Sequence, residues 1–258
     1  MLELSDISPE TATERRSSPP GVVGPFSVPL CFDRPEASSG ILSQRHPTVE
    51  LSAGLTSSAA DCVSRLVPAL LCGEESAICV FQREGVSPRA ADAAEASRRV
   101  LHKIQREEEV HSVLLARLLN ELPVAPDLAT LRRRSRAFFI RMGVTTPSVV
   151  LSRVVEIDSA VCIILHAILA PHVMPGALHM KPLWTKIRRE EAQHVRSSQA
   201  YLDVLGVKTP PDSVALAREG LVELLSGVAD SFEGLGVDAD RLFRRIRERG
   251  RNDLSACA

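Results

Sequence analysis

The chain has 258 residues, 31 basic and 32 acidic side chains, a formal net charge of −1 and an apolar fraction of 45%. This balance excludes a global field that would draw it to nucleic acid or to an anionic membrane, and it allows a sizeable buried core. No uninterrupted apolar run approaches bilayer-spanning length, and the opening MLELSDISPETATERR has early acids and no apolar segment, so neither a membrane span nor a secretory leader is expected and the chain reads as cytoplasmic.

Residues 1–56 are rich in Ser, Pro and Gly without periodicity, as in RRSSPPGVVGPFSVPL, and read as an irregular N-terminal arm with one short apolar patch at 22–32. From about Ser57 the pattern turns helical, with breaks at Gly85 to Pro88, Leu122 to Pro126, Gly143 to Pro147, Pro171 to Gly176, Gly206 to Pro211 and Gly234 to Gly236. No strand pattern appears, and the aromatic fraction is only 3%, so the fold class is all-α, a helix bundle over residues 57–206 followed by a helical extension over 207–258.

The first helix, Ser57 to Glu84, has a seam of Val63, Val67, Leu70, Ala77 and Phe81, on which Glu74 takes an apolar position. In the second, Arg89 to Leu122, the seam of Leu101, Ile104, Leu115 and Leu118 has its gaps filled by Glu108 and His111. Residues 122–146 contain a further helical stretch, LATLRRRSRAFFIRM. The third long helix, Pro147 to Leu169, is lined by Val149, Ala160, Ile163 and Leu165, with Glu156 among them. The fourth, Ala177 to Leu205, carries Trp184, Ile187, Leu202 and Leu205 on one face, with Glu191 and His194 between. Beyond Pro211 two amphipathic helices are expected, Val214 to Phe232 and Asp238 to Arg249, either covering the bundle or forming a homodimer contact.

An isolated buried carboxylate costs several kcal/mol, so four inward glutamates need protons, partners or bound cations. A Glu and a His three residues apart lie about 60° apart around a helix and about 4.5 Å apart along it, close enough to share one metal. Oxygen ligands with one imidazole per ion suit iron first and manganese as the alternative. The order Glu, Glu-x-x-His, Glu, Glu-x-x-His repeats with separations of 34 residues (Glu74 to Glu108) and 35 residues (Glu156 to Glu191), the length of one helical hairpin.

In these features the sequence resembles the ferritin-like di-iron carboxylate superfamily over roughly residues 57–206, and Gly73-Glu74-Glu75-Ser76-Ala77 with Phe81 is similar to the Gly-Glu-x-x-Ala-x-x-x-aromatic pattern of its first helices. The resemblance selects Glu74 over Glu75 and implies six ligands to two iron ions: Glu74, Glu108, His111, Glu156, Glu191 and His194, with Glu108 and Glu191 bridging. It further implies an oxygenase that takes O2, a small-molecule substrate and electrons from a ferredoxin or flavin-reductase type donor, hydroxylating or N-oxygenating that substrate in specialised biosynthesis. Within the superfamily, the rubredoxin module of rubrerythrins is missing, the chain is longer than a bacterioferritin subunit, and Ile187 stands where arylamine N-oxygenases carry a third histidine. The only tyrosine, Tyr201, lies two turns beyond His194, which disfavours the ribonucleotide reductase role. The competing classes are a ferritin-like iron store or peroxide scavenger and a bundle that binds without redox chemistry.

Other residues carry blander expectations. Leu70, Ala77, Ile104, Leu115, Ala160 and Ile163 should line a substrate pocket. The six cysteines are widely spaced, without a C-x-x-C pair, and read as small hydrophobes. His166 reads as a hydrogen-bonded core or pocket histidine, Trp184 as core, and Glu107, Glu109, Glu190 and Arg132 to Arg136 as solvated helix faces.

Overall fold

The structure is a computed structural model that describes residues 50–86 and 95–248. These form eight helices and no strand: α1 (Ser57–Gly85), α2 (Glu95–Glu121), α3 (Leu128–Gly143), α4 (Pro147–Ile168), α5 (Met180–Val204), α6 (Pro211–Ser226), α7 (Ala229–Gly234) and α8 (Ala239–Glu248). The all-α expectation holds for this part of the chain. Most of the N-terminal arm, with its apolar patch, and the start expected for the second helix lie outside the described residues.

Local chemistry fixes several helix starts. The Thr56 hydroxyl caps α1 by accepting from the Ala59 amide at 3.2 Å. Pro147 and Pro211 open α4 and α6 at positions where their missing N–H is not needed. Gly54, at φ +85°, lies against the Gly176 backbone so closely that a Cβ on either would collide with the other's carbonyl, which pins the segment before α1 to the α4–α5 connection.

Four long helices make the bundle: α1 packs on α2, α4 on α5, and α1–α4 and α2–α5 contacts join the two hairpins. Its interior is two apolar clusters stacked end to end. One contains Val63, Val67, Leu115, Leu118, Ile163 and Ile187; the other contains Ala77, Phe81, Leu101, Ile104, Leu151, Val155 and Leu202. Along α1 and α5 the chain passes from the first cluster to the second, and along α2 and α4 it passes back. Thus α1 and α5 run one way and α2 and α4 the other, and α3 belongs to the long crossover between α2 and α4.

The remaining helices cover this bundle, as one of the two roles expected for them. α6 packs on α4 and α3, α7 on α1, and α8 on α4 and α6. The single helix expected over Val214 to Phe232 is two, because α6 ends at Gly227 and Val228 leaves helical geometry. A side chain at Gly227 would collide with the Arg134 guanidinium, which lies directly over it. α4 is buried almost all round, and Arg153 fastens it to its covering by donating to Ser213 Oγ at 2.9 Å and to the Met142 carbonyl at 2.8 Å.

The strongest tie between α4 and α6 is a half-buried ion pair in which Arg218 donates through Nε (3.0 Å) and Nη2 (2.6 Å) to Glu156 Oε2. Arg218→Ala leaves the Glu156 carboxylate without a cation between two packed helices. Urea denaturation should register a loss of about 3 kcal/mol, and the double variant with Glu156→Leu should recover much of it.

Candidate metal centre

Between the two apolar clusters, the four long helices contribute a layer of ionisable side chains at one level. α1 supplies Glu74, α2 supplies Glu108 and His111, and α5 supplies Glu191 and His194, each no more than 6% exposed. One ligand atom from each of Glu74, Glu108, His111 and Glu191 lies within 4.8 Å of the others. His111 Nδ1 is 3.2 Å from Glu74 Oε2, 3.3 Å from Glu191 Oε1 and 3.6 Å from Glu108 Oε2. His194 Nδ1 is 3.1 Å from Glu108 Oε1 and 3.7 Å from Glu191 Oε2, and the two rings sit 5.9 Å apart. Five of the six residues expected as ligands are therefore brought together, and Glu74 rather than Glu75 is the α1 member. Glu75 lies half-buried near Arg132 and Arg136 of α3, whose positive charges partly offset the upward push of burial on its carboxyl.

The sixth, Glu156, is not brought there. Its carboxylate is held by Arg218 on the α6 side of α4. The acid that α4 turns toward the layer is Asp158, which is 6% exposed and lines one cavity with Glu74, Glu108 and Glu191. Two residues along a helix are a rotation of about 200°, so Glu156 and Asp158 face opposite ways.

Each histidine is also held from behind. His111 Nε2 donates to Glu190 Oε2 at 2.8 Å, and His194 Nε2 donates to Glu107 Oε2 at 3.1 Å, so each helix orients the other's imidazole. A carboxylate on Nε2 fixes the proton there and leaves Nδ1 as the ligating atom. Glu107 and Glu190 are in turn paired with Lys103 (3.1 Å) and Lys186 (2.8 Å) on their own helices. These two glutamates are thus not merely solvated. The signal that could have found them is a repeat: Lys103-Ile104-x-Arg106-Glu107-Glu108-x-x-His111 recurs as Lys186-Ile187-x-Arg189-Glu190-Glu191-x-x-His194.

Without a cation the layer manages its charge with protons. Burial, then the Glu108 charge and their shared hydrogen bond, push the Glu74 carboxyl up to about 8. Burial and the Glu191 and Glu108 charges raise Asp158 well above the carboxylate range. For Glu108, burial and Glu191 also push upward, but contacts with Glu74, His111 and His194 outweigh them and hold it low. Both imidazoles are held charged against the opposing effect of burial, His194 at about 11, by Glu108 and Glu191, with Glu74 adding to the effect on His111.

The donor set fits a metal ion. Glu108 Oε1, Glu191 Oε1, His194 Nδ1 and Asp158 Oδ2 are buried without a completed hydrogen bond, and all belong to groups that ligate hard or borderline cations. Among the described residues no thiol joins them. Cys162 is buried in the core, and burial pushes the buried Cys72 thiol up to about 12, far from the thiolate a metal requires.

The cavity beside the layer, about 50 Å³, is bounded otherwise by Ser76 and by apolar groups of α1, α3, α4 and α6, among them Ala69, Leu70, Phe139, Val161 and Leu225. Of the pocket residues expected, Leu70 and Ala77 line it. Ile104, Leu115, Ala160 and Ile163 are buried in the core clusters instead. Gly73 admits Phe139 to this wall, since an added Cβ would meet its ring at 3.3 Å.

The remaining expectations divide. His166 is exposed, 3.1 Å from Arg188 Nη1, and takes no part in the core or cavity. Trp184 is core. Arg132, Arg133, Arg134 and Arg136 lie on the surface face of α3. Tyr201 is buried in the second cluster, its hydroxyl donating to Glu84 Oε1 at 3.2 Å. Compared with protein-family models, curated proteins and solved structures, the chain matches none. No helix among the described residues is long and apolar enough to cross a membrane.

Two measurements follow from this geometry. The raised Glu74, His111 and His194 hold protons that a cation must displace, so Mn2+ affinity should climb as pH rises from 6.5 to 8.5, by about tenfold per unit for each proton released, and titration calorimetry in buffers of different ionisation enthalpy counts those protons. Glu107→Gln and Glu190→Gln should each weaken Mn2+ binding by about 10- to 100-fold without unfolding the protein.

Proposed function

We propose that the protein is a ferritin-like, non-heme di-iron oxygenase that uses O2 to hydroxylate or N-oxygenate a small molecule. The observation that carries the reading is the convergence of buried carboxylate oxygens and imidazole Nδ1 atoms from three helices, several without completed hydrogen bonds, beside a mainly apolar cavity. The antiparallel order of the four long helices, with a long crossover in its middle, supports the ferritin-like assignment.

Glu74, Glu108, His111, Glu191 and His194 would hold the metal. Bound iron supplies the redox chemistry and the reaction with O2 that no protein side chain provides. The chain's own contribution is positioning and exclusion. Glu190 and Glu107 keep each imidazole turned with Nδ1 inward. The apolar clusters above and below the layer keep bulk water from it, which protects a reactive oxidant from quenching. Leu70, Phe139 and Leu225 form a wall against which a small, largely apolar molecule would rest beside the carboxylates. The Ser76 hydroxyl on the cavity wall already donates to the Cys72 carbonyl, and the charged side chains of the lining are carboxylates, which favours neutral or cationic molecules. Electrons would come from an external donor, a ferredoxin or a flavin reductase.

Anaerobic reconstitution with Fe2+ tests the reading. The expected result is tight iron binding and, after admission of O2 with a chemical reductant, O2 uptake that exceeds oxidation of the bound iron and rises with a compact apolar amine or hydrocarbon. His111→Ala and Glu108→Ala should each lower iron content and O2 uptake at least 100-fold while helicity by circular dichroism is retained. Accumulation of hundreds of iron ions in a spherical assembly would instead make the protein a store.

A further inference from the structure

We propose that Asp158, and not Glu156, is the ligand contributed by α4, and that it completes the second of the two cation sites in the layer. The proposal rests on the metal-binding reading above and names a ligand that the Glu-x-x-His spacing does not select.

The first observation is level. Every long helix of the bundle passes from one apolar cluster to the other at the level of the layer. On α4 the passage falls between Val155, in one cluster, and Ile157 and Ala160, in the other. The acid of that stretch that turns to the layer is Asp158. Glu156 is committed to Arg218, which holds it through two donors.

The second is an unmet valence. Asp158 is buried, its Oδ2 has no hydrogen-bond partner, and it lines the same cavity as Glu74, Glu108 and Glu191. A carboxylate in that state is costly unless a cation or a proton satisfies it.

The third is internal symmetry. α2 and α5 repeat the same Lys-Ile-x-Arg-Glu-Glu-x-x-His run, and their histidines exchange hydrogen bonds with each other's outer glutamate. The rotation that carries α2 onto α5 carries α1 onto α4, and so carries the role of Glu74, the acid beside His111, to the acid beside His194. Asp158 precedes Glu191 by 33 residues, where Glu74 precedes Glu108 by 34.

Charge closes the argument. The layer and its immediate supports contain six carboxylates: Glu74, Glu107, Glu108, Asp158, Glu190 and Glu191. Two lysines, Lys103 and Lys186, pair with the outer ones. With neutral imidazoles four negative charges remain, the number that two divalent cations neutralise. A single ion would leave two of these charges to be matched by protons.

The test is equilibrium dialysis of the full chain against Mn2+, with metal content read by mass spectrometry. The wild type and Glu156→Gln should each bind two ions. Asp158→Asn should bind one, with the second site weakened at least 100-fold, and Asp158→Glu should restore two. Metal-free Asp158→Asn should melt no lower than the wild type, because the oxygen it replaces has no partner; Asp158→Ser carries the same stoichiometric expectation if the Asn variant does not fold. Two ions in Asp158→Asn or Asp158→Ser at wild-type affinity, loss of an ion in Glu156→Gln, or a wild type that stops at one ion would each overturn the assignment while leaving metal binding intact. A wild type that binds no Mn2+ would overturn both this proposal and the reading beneath it.

Discussion

The fold is organised around one electrostatic problem: carboxylates and imidazoles from all four long helices meet in a layer sealed above and below by apolar side chains. In so dry a place a charge must be matched within a few ångströms or neutralised by a proton. The histidines, the lysines at the rim and the raised carboxyls are the means of matching. Helix register, the facing of each hairpin and the tolerance of buried oxygens without hydrogen bonds all follow from keeping these groups at one level. An apolar layer there would pack more tightly and stabilise the bundle more, so the polar one is a departure from what folding alone favours.

Much of this was legible in the sequence because three of the four helices are amphipathic. On α1, α2 and α5 an apolar seam marks the inward face, and Glu74, Glu108, His111, Glu191 and His194 stand in gaps of that seam. The long elements and the extra helix in the crossover could be read from the same periodicity and from Pro and Gly at their ends.

α4 is where that reading fails, and the cause is physical. It is the central helix, covered by α5, α6, α8 and α1, and apolar nearly all the way round, so its seam carries no direction. Glu156 and Asp158 are then equivalent by pattern and by hairpin spacing, 35 and 33 residues before Glu191, and only the expectation of a glutamate favours the wrong face. What decides it is Arg218, sixty-two residues later on a helix outside the bundle, which no local pattern connects to Glu156. Glu107 and Glu190 were obscured for a different reason. They lie at the edge of the seam, partly exposed, and only the antiparallel pairing of α2 with α5 turns each toward the other helix's histidine.

The cavity has a further property in its walls. Its inner end is made by the carboxylates of the layer, whereas Phe139 and Leu225 on its far side belong to α3 and α6, helices that contribute nothing to the layer. Volume and shape at the outer end can therefore drift, residue by residue, while the charged floor stays constant. A lineage carrying this fold could exchange one guest molecule for another by editing two covering helices, with its reactive machinery left as inherited.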